Sequence, residues 1–204
     1  MACYIFGAGS FYGLGHRPAP EDYVIAADGG WLACRKAGVL PDLLLGDFDS
    51  LESPPDFPHI VRMPVEKDDT DTMLAVKAGL DRGETEFHIY GGMGGRRTDH
   101  TMANFQTLLY LARRGAQGWL YGQEERYTAI HNGTLCLSAR KSGIVSVFCL
   151  GADARGVEIS GAKYPLHEAA LSEEFPLGVS NHFVGETVTI SVQDGSLLIG
   201  IIDE

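Results

Sequence analysis

The sequence is poor in positive charge and lacks long apolar runs. Its 204 residues include 16 Lys and Arg against 27 Asp and Glu, which gives a formal net charge of −11 at pH 7. Nucleic acids and anionic membrane surfaces attract basic proteins, so this charge argues against both as partners. The longest apolar run, Ile144 to Leu150, is too short to cross a bilayer, and no basic segment leads into an apolar stretch at the start. We therefore expect a cytoplasmic protein with no nucleic-acid partner and no membrane association.

Cysteine is scarce and shows no pattern. Cys3, Cys34, Cys136 and Cys149 form no Cys-x-x-Cys pair, which argues against a zinc site or a disulfide framework and favours reduced thiols that pack in the interior. The P-loop of many nucleotidases and the Gly-x-Ser-x-Gly turn of serine hydrolases are also absent. Neither of those enzyme classes is therefore indicated.

Acidic residues are concentrated in two clusters about twenty residues apart. In the first, Asp47-Phe48-Asp49-Ser50, an extended backbone would point both carboxylates the same way while Phe48 faces the protein. Either cluster alone is compatible with a solvated loop or a helix cap. Together they place a high negative charge density in one stretch, which favours a bound cation.

The second cluster, Asp68-Asp69-Thr70-Asp71, leads into a segment with helical apolar periodicity. Asp71 begins that predicted helix, and Asp68 or Asp69 is a natural N-cap for it. Carboxylates, a hard divalent cation and a helix N-terminus together are typical of a site that handles phosphate groups.

Apolar strands alternate with helices over residues 1–124. The predicted strands are Ala2–Phe6, Tyr23–Ala27, Leu43–Leu45, Ile60–Met63, Phe87–Tyr90 and Trp119–Tyr121. The predicted helices are Trp31–Ala37, Asp71–Leu80 and Asp99–Arg114, which end near Gly38, Gly83 and Gly115. This order predicts a mostly parallel, three-layer α/β nucleotide domain whose ligands bind at the carboxyl ends of the strands.

Three loops fall at such strand ends and are expected to converge on one crevice. They are Ala27-Asp28-Gly29-Gly30, Gly46 to Asp49, and Gly91 to Gly95. In the third loop the glycines give backbone N–H groups access to an anion, and Arg96 or Arg97 can bind phosphate. A fourth segment, Gly7-Ala8-Gly9-Ser10, only weakly resembles a dinucleotide-binding turn, so we interpret it as a simple loop.

Residues 125–204 show strands and turns without helices, which predicts a second, all-β, sandwich-like domain. The predicted strands are Arg126–Ile130, Thr134–Ser138, Ile144–Leu150, Gly156–Ser160, Glu186–Val192 and Ser196–Ile202. Asn132-Gly133 and Asp194-Gly195 are expected to form tight hairpin turns.

Six segments, taken in order, resemble the thiamine pyrophosphokinase family. They are ADGG (27–30), GDFDS (46–50), KDDTDT (67–72), GGMGGRRTDHTMAN (91–104), KYPL (163–166) and GVSNHF (178–183). The resemblance implies transfer of the pyrophosphoryl group of ATP to the hydroxyl of thiamine, which yields thiamine diphosphate and AMP. It also implies a homodimer whose active sites are shared between subunits.

The same resemblance assigns roles to individual residues. Mg²⁺ would be held by Asp47, Asp49 and Asp71, the catalytic carboxylates, with Asp68 beside them. ATP would be contacted or positioned by Asp28, Gly29, Lys67, Asp68, Thr70, Arg96, Arg97, Asp99 and His100. Thiamine would be bound by Ser180 and Asn181. One extra residue in the arginine motif leaves open whether Arg96 or Arg97 takes the phosphate, and His182 replaces the acidic residue usual in the family.

Two other functions remain open at this point. One is a Mg²⁺-dependent nucleotide phosphohydrolase, and the other is a noncatalytic nucleotide-binding regulatory module. A hydrolase needs no domain for a second substrate, and a binding module needs no paired carboxylates. The sequence also leaves open whether Asp71 or Asp47 accepts the proton of the attacking alcohol.

Overall fold

The computed structural model describes residues 1–48, 57–62, 68–95 and 97–204. The chain divides into two compact units. The first unit comprises Met1–Thr107 and Gly118–Gln123, and the second comprises Leu108–Gln117 and Glu124–Glu204. Within the described residues, no helix is both long and apolar enough to span a membrane.

The first unit contains a parallel sheet. Its strands are β1 (Cys3–Phe6), β2 (Tyr23–Ala27), β3 (Leu43–Gly46), β4 (Ile60–Arg62), β5 (Glu86–Tyr90) and β6 (Gln117–Tyr121), whose first residue is grouped with the second unit. They lie in the order β6-β5-β1-β2-β3-β4. β1 pairs in parallel with β2 and β5, and β3 pairs in parallel with β2 and β4. The predicted mostly parallel sheet is thus confirmed, and these strands end at a common edge.

Helices pack against both faces of β1, a strand whose residues are all apolar. All four residues of β1 are buried, as expected for a strand with no solvent-facing side. Tyr4 and Phe6 belong to one apolar cluster with Cys34 of helix α1 (Gly30–Ala37). On the other face, a Cβ at Gly79 of helix α2 (Asp71–Asp81) would lie 3.0 Å from Cys3 Sγ.

The helix ends follow the expected signals with one exception. Gly38 ends α1 at φ 63°, and Gly115 follows helix α3 (Thr98–Ala112) at φ 75°, both in the left-handed region that glycine adopts easily. The prediction that Asp68 or Asp69 caps α2 is wrong. Thr70 is the N-cap, and its Oγ1 accepts a hydrogen bond of 3.2 Å from Met73 N.

Antiparallel strands make up the second unit after residue 124, as predicted. They are β7 (Glu125–His131), β8 (Thr134–Leu137), β9 (Ile144–Cys149), β10 (Ala154–Ser160), β11 (Leu166–Leu171), β12 (Asn181–His182), β13 (Val188–Ser191) and β14 (Ser196–Ile202). One group has the order β12-β9-β14-β7, and a separate four-stranded sheet has the order β11-β10-β13-β8. The sequence did not predict β11 or β12.

The two predicted hairpins are wrong. Asn132-Gly133 links β7 to β8 and Asp194-Gly195 links β13 to β14, but β7 pairs with β14 and β8 pairs with β13. Each turn therefore connects strands of different sheets. The two turns bind each other instead, because Gly195 N donates to Asn132 Oδ1 at 2.8 Å and Asn132 N donates to Gly195 O at 3.1 Å.

The cysteines are free thiols, as predicted. Cys3, Cys34 and Cys149 are buried and pack in the interior. The expectation of an interior position is wrong for Cys136, which is exposed on β8 because that strand alternates buried and exposed side chains.

Candidate active site

A cavity of about 660 Å³ lies at the carboxyl edge of the parallel sheet, wholly within the first unit. Its walls come from the loops after β1, β2, β3 and β5, the start of α2 and the first turns of α3. The lining residues are Gly7–Ser10, Ala27, Asp28, Asp47, Thr70–Thr72, Gly91, Gly92, Gly94, Gly95, Arg97, His100 and Asn104. The three predicted loops therefore converge on one crevice. Its size lies within the range of about 300–1,000 Å³ usual for small-molecule sites.

Asp28 and Asp47 form the acidic wall at the ends of β2 and β3. Asp28 is 7% exposed and has φ 50°, and its backbone N donates to Leu45 O at 2.8 Å. A Cβ at Gly46 would lie 3.0 Å from the Asp28 Cα, so glycine is required for the two loops to approach this closely. Gly29, the N-cap of α1, does not line the cavity in the part of the chain that the structure describes.

Phe48 turns into the apolar core beside Asp47, as predicted, but by a different backbone geometry. Its side chain is 3% exposed, and its φ of 60° is left-handed. The expectation of an extended backbone through Asp47-Phe48-Asp49 is therefore wrong at Phe48, because burial of the ring holds this residue in a turn. Asp49 lies outside the described residues, so the relative direction of the two carboxylates stays a prediction.

The N-terminus of α2 faces the cavity through Thr70, Asp71 and Thr72. Backbone N–H groups in a first helical turn have no partner within the helix, and together with the helix dipole they attract anions. Asp68 is exposed and is not among the described lining residues. Asp69 is held away by Lys77, whose Nζ lies 2.7 Å from its Oδ2.

The glycine loop, residues 91–95, is fixed at its beginning by hydrogen bonds. Gly9 N donates to Gly91 O at 2.8 Å, and Asn104 Nδ2 of α3 donates to Gly92 O at 2.7 Å. Asn104 is 4% exposed and itself lines the cavity. The first part of the loop is therefore held in shape before any ligand binds.

Arg97 lines the cavity, and its guanidinium binds Asp99. The Nη2 of Arg97 lies 2.6 Å from Asp99 Oδ2, and both side chains are solvent-exposed. The hydrogen bond from Arg97 lowers the pKa of Asp99 to about 2. His100, in the next position, also lines the cavity. Arg96 and Lys67 lie outside the described residues, so the choice between the two arginines stays open.

The loop Gly7–Ser10 lines the cavity and was not among the predicted site residues. It is a loop, as expected, but a Cβ at Gly9 would lie 2.5 Å from Gly91 O and one at Gly7 would lie 2.9 Å from the same oxygen. The available signal was the Gly-x-Gly spacing directly after the first strand. No helix follows this spacing, which is why it does not indicate a dinucleotide-binding turn.

The donor set of the cavity fits a hard divalent cation. Asp47 and Asp71 both line the cavity, and carboxylate oxygens are the ligands that Mg²⁺ prefers. Among the described residues, which do not include Asp49, no group of three or more metal-binding side chains occurs. The described part of the site thus supplies two carboxylate donors.

Ser180 and Asn181, the predicted thiamine-binding residues, lie at the start of β12 in the second unit. Ser180 is exposed with φ 61°, and its N donates to Ser146 Oγ at 3.1 Å. The Asn181 side chain is buried and binds the backbone of Tyr164 twice, through Tyr164 N to Oδ1 at 2.9 Å and through Nδ2 to Tyr164 O at 2.6 Å. Asn181 therefore fixes the 163–166 segment.

The fold and cavity place this chain in the class of α/β proteins that have a cavity at the carboxyl ends of parallel strands, where such sheets bind their ligands. Comparison with known families agrees. The chain belongs to the thiamin pyrophosphokinase family of enzymes: the model of the catalytic domain matches residues 19–120, and that of the vitamin B1 binding domain matches residues 135–197. The thiamine pyrophosphokinase of Bacillus subtilis strain 168 is 26% identical over 184 residues, which cover 86% of this chain and 85% of the relative.

Solved structures show the same fold. A crystal structure of thiamine pyrophosphokinase from Bacillus subtilis is 22% identical with a TM-score of 0.89, and the match covers 100% of both chains. The enzyme from Geobacillus thermodenitrificans is 25% identical with a TM-score of 0.85, over 100% of this chain and 98% of that one. The mixed α/β fold with a large sheet and a second antiparallel sheet is therefore shared with these proteins.

Proposed function

We propose that this protein transfers the pyrophosphoryl group of ATP to the hydroxyl of thiamine, in the presence of Mg²⁺, and releases thiamine diphosphate and AMP. The observation that carries the proposal is the convergence of two acidic loops, a glycine loop and a helix N-terminus on one cavity. The family matches over both parts of the chain support the same activity.

The charge of the cavity supports a metal-dependent reaction. Its described lining carries the carboxylates of Asp28, Asp47 and Asp71 against the guanidinium of Arg97. A polyphosphate would be repelled by this excess of negative charge without a cation. Mg²⁺ held by Asp47, Asp49 and Asp71, with Asp68 beside them, would neutralise phosphate charge as the bond to the leaving group breaks.

The remaining residues of the site would bind and orient the nucleotide. The N–H groups at the start of α2, the glycine loop and one of Arg96 and Arg97 would bind the phosphates, as would Lys67. Thr70 fixes the first turn of α2 through its hydrogen bond to Met73 N. Asp99 would orient Arg97, because the two side chains already form an ion pair. Asp28, Gly29 and His100 complete the proposed nucleotide site.

The reaction needs in-line attack and charge stabilisation more than covalent catalysis. The hydroxyl oxygen of thiamine would bond to the β-phosphorus of ATP while the bond from that phosphorus to the bridging oxygen of AMP breaks. The hydroxyl proton would pass to a carboxylate late in the reaction. Asp47 and Asp71 both line the cavity and are the candidates for this role.

We further propose that the protein is a homodimer in which thiamine binds near Ser180 and Asn181 of one subunit and the aspartate loops of the other. The 163–184 region of the second unit carries an unusual number of exposed apolar side chains, which a partner subunit would cover. They include Tyr164, Phe175, Leu177, Val179 and Val184.

Subunit mixing tests this arrangement. We expect the Asp71→Ala and Ser180→Trp variants to be inactive alone. Each mixed dimer should regain up to about half of the activity of a wild-type dimer, because one of its two sites is intact. Ser180 is preferred to Asn181 for this test, since Asn181→Ala would also release the Tyr164 backbone. Failure to regain activity after proven subunit exchange would contradict the shared site.

Formation of AMP from ATP with and without thiamine tests the activity itself. Release of AMP only when thiamine is present supports pyrophosphoryl transfer. Steady release of phosphate or AMP without thiamine would indicate a phosphohydrolase instead. Nucleotide binding without turnover would indicate a noncatalytic module.

A further inference from the structure

Tyr12 packs against the glycine loop from outside the cavity. A Cβ at Gly94 would overlap the Tyr12 hydroxyl oxygen and would lie 3.3 Å from its Cζ. The next nearest atom is Ser10 Cβ at 3.4 Å. A side chain of any size at Gly94 would therefore collide with the phenol of Tyr12.

The contact falls on the part of the loop that the hydrogen bonds described above do not reach. Those bonds fix Gly91 and Gly92, whereas Gly94 and Gly95 have φ values of 75° and 83°. Two successive glycines in the left-handed region are intrinsically mobile, because glycine can occupy several other conformations at equal cost. Among the described residues, Tyr12 and Ser10 are the side chains nearest to Gly94, and they limit this freedom.

Tyr12 also lines a second hollow of the first unit. Gly94, Gly95 and Ser10 line the proposed nucleotide cavity, whereas Tyr12 lines a neighbouring groove of about 500 Å³ together with Arg17 and Lys36. Tyr12 thus contacts the glycine loop and lines the groove, but it is not among the described residues that line the cavity.

We propose that Tyr12 is a positioning residue for the nucleotide. Its ring holds Gly94 against the cavity in the conformation that the bound phosphates require. The inference rests on the proposed function, in which this cavity takes ATP. Tyr12 would make no bond to the reacting atoms, so its effect should fall on nucleotide affinity rather than on the chemical step.

The first experiment measures binding of a nonhydrolysable ATP analogue with Mg²⁺ by calorimetry. We expect Tyr12→Ala to weaken binding roughly tenfold and to raise the KM for ATP similarly with kcat within about twofold, because the ligand must then order the loop itself. Tyr12→Phe keeps the ring and should stay within about twofold of wild type. Tyr110→Phe, on α3 and outside the lining of the cavity, is the control for loss of a tyrosine hydroxyl.

The second experiment is a double-mutant cycle between Tyr12 and Gly94. Gly94→Ala should weaken binding strongly in the wild-type background. In the Tyr12→Phe background the same substitution should cause a loss of affinity at least about fivefold smaller, because Phe lacks the oxygen that the new Cβ would overlap. Gly115→Ala is the matched control, since Gly115 has the same φ of 75° and no atom within 4 Å of its Cβ position.

The outcomes separate this inference from the proposed function. Coupled effects at Tyr12 and Gly94, with kcat preserved, support the positioning role. Additive effects, or a Tyr12→Ala variant that binds the analogue as wild type does, would overturn it while leaving the proposed function intact. If the wild-type protein binds no nucleotide, the proposed function fails and the inference fails with it.

Discussion

Substitution of Asp47 by Asn tests the acidic wall of the cavity most directly. Asn has the same shape and keeps one oxygen acceptor, so the change removes charge and little else. Asp47 is half-buried, and the neighbouring Phe48 ring anchors its loop in the core. We therefore expect the fold to survive, with a change in unfolding free energy of about 0.5 kcal/mol or less and a shift in Tm of about 2 °C or less.

The loss of activity should be much larger. Two unit charges 4 Å apart attract by about 4 kcal/mol at the effective dielectric near a protein surface, which corresponds to roughly a thousandfold. Asp28 and Asp71 remain in the cavity and replace part of the lost attraction for a cation. We therefore expect at least about a hundredfold lower turnover at limiting Mg²⁺, comparable to the loss of one transition-state donor.

Initial rates of AMP formation across a Mg²⁺ titration measure this effect. Asp81→Asn is the matched control, because it changes the net charge equally on an exposed residue at the end of α2 that does not line the cavity. The control should retain full activity. An Asp47→Asn protein with unchanged melting and near-normal turnover at limiting Mg²⁺ would refute a role for Asp47 in holding the metal.

Two further predictions concern stability. Asn181→Ala should lower the unfolding free energy by about 2 kcal/mol and Tm by about 4–8 °C in thermal melts, because it leaves the backbone of Tyr164 without two partners. Burial lowers the pKa of His88 below its ordinary value of 6.5, so the unfolded chain takes up a proton near pH 6 that the folded chain resists. Stability should therefore fall as pH drops through this range, and urea unfolding at pH 7.5 and 5.5 should show a smaller fall in His88→Gln. The exposed His59→Gln is the control for the loss of a histidine.

The secondary structure of the first unit was largely predictable because its signals are local. Strand β2 was predicted with its observed bounds, and α1 differs from its prediction by the single residue Gly30. Apolar runs, helical periodicity and terminal glycines act over a few residues. The convergence of the loops followed from topology, because parallel strands end at one edge of a sheet.

Strand pairing in the second unit was not predictable in the same way. Asn-Gly and Asp-Gly favour tight turns, but the partner of each strand is chosen by burial of its whole face. Strand β11 reads Leu-His-Glu-Ala-Ala-Leu, a composition that favours a helix. It is held as a strand by pairing with β10 and by Glu158, whose Oε1 accepts from Glu168 N at 2.7 Å. Tertiary pairing here overrides local preference.

The glycines of the site show most clearly what a single sequence hides. In the sequence alone, Gly9 belongs to an incomplete dinucleotide-binding motif, and Gly91 begins a loop that is rich in glycine. In the structure a Cβ at either position would collide with the backbone of the other loop, since Gly9 faces Gly91 and Gly91 faces Gly7. Each glycine is required because the backbone of the other loop occupies the space that a Cβ would need. The two loops can therefore form one wall of the cavity only as a pair, and this mutual requirement joins residues that lie more than eighty positions apart.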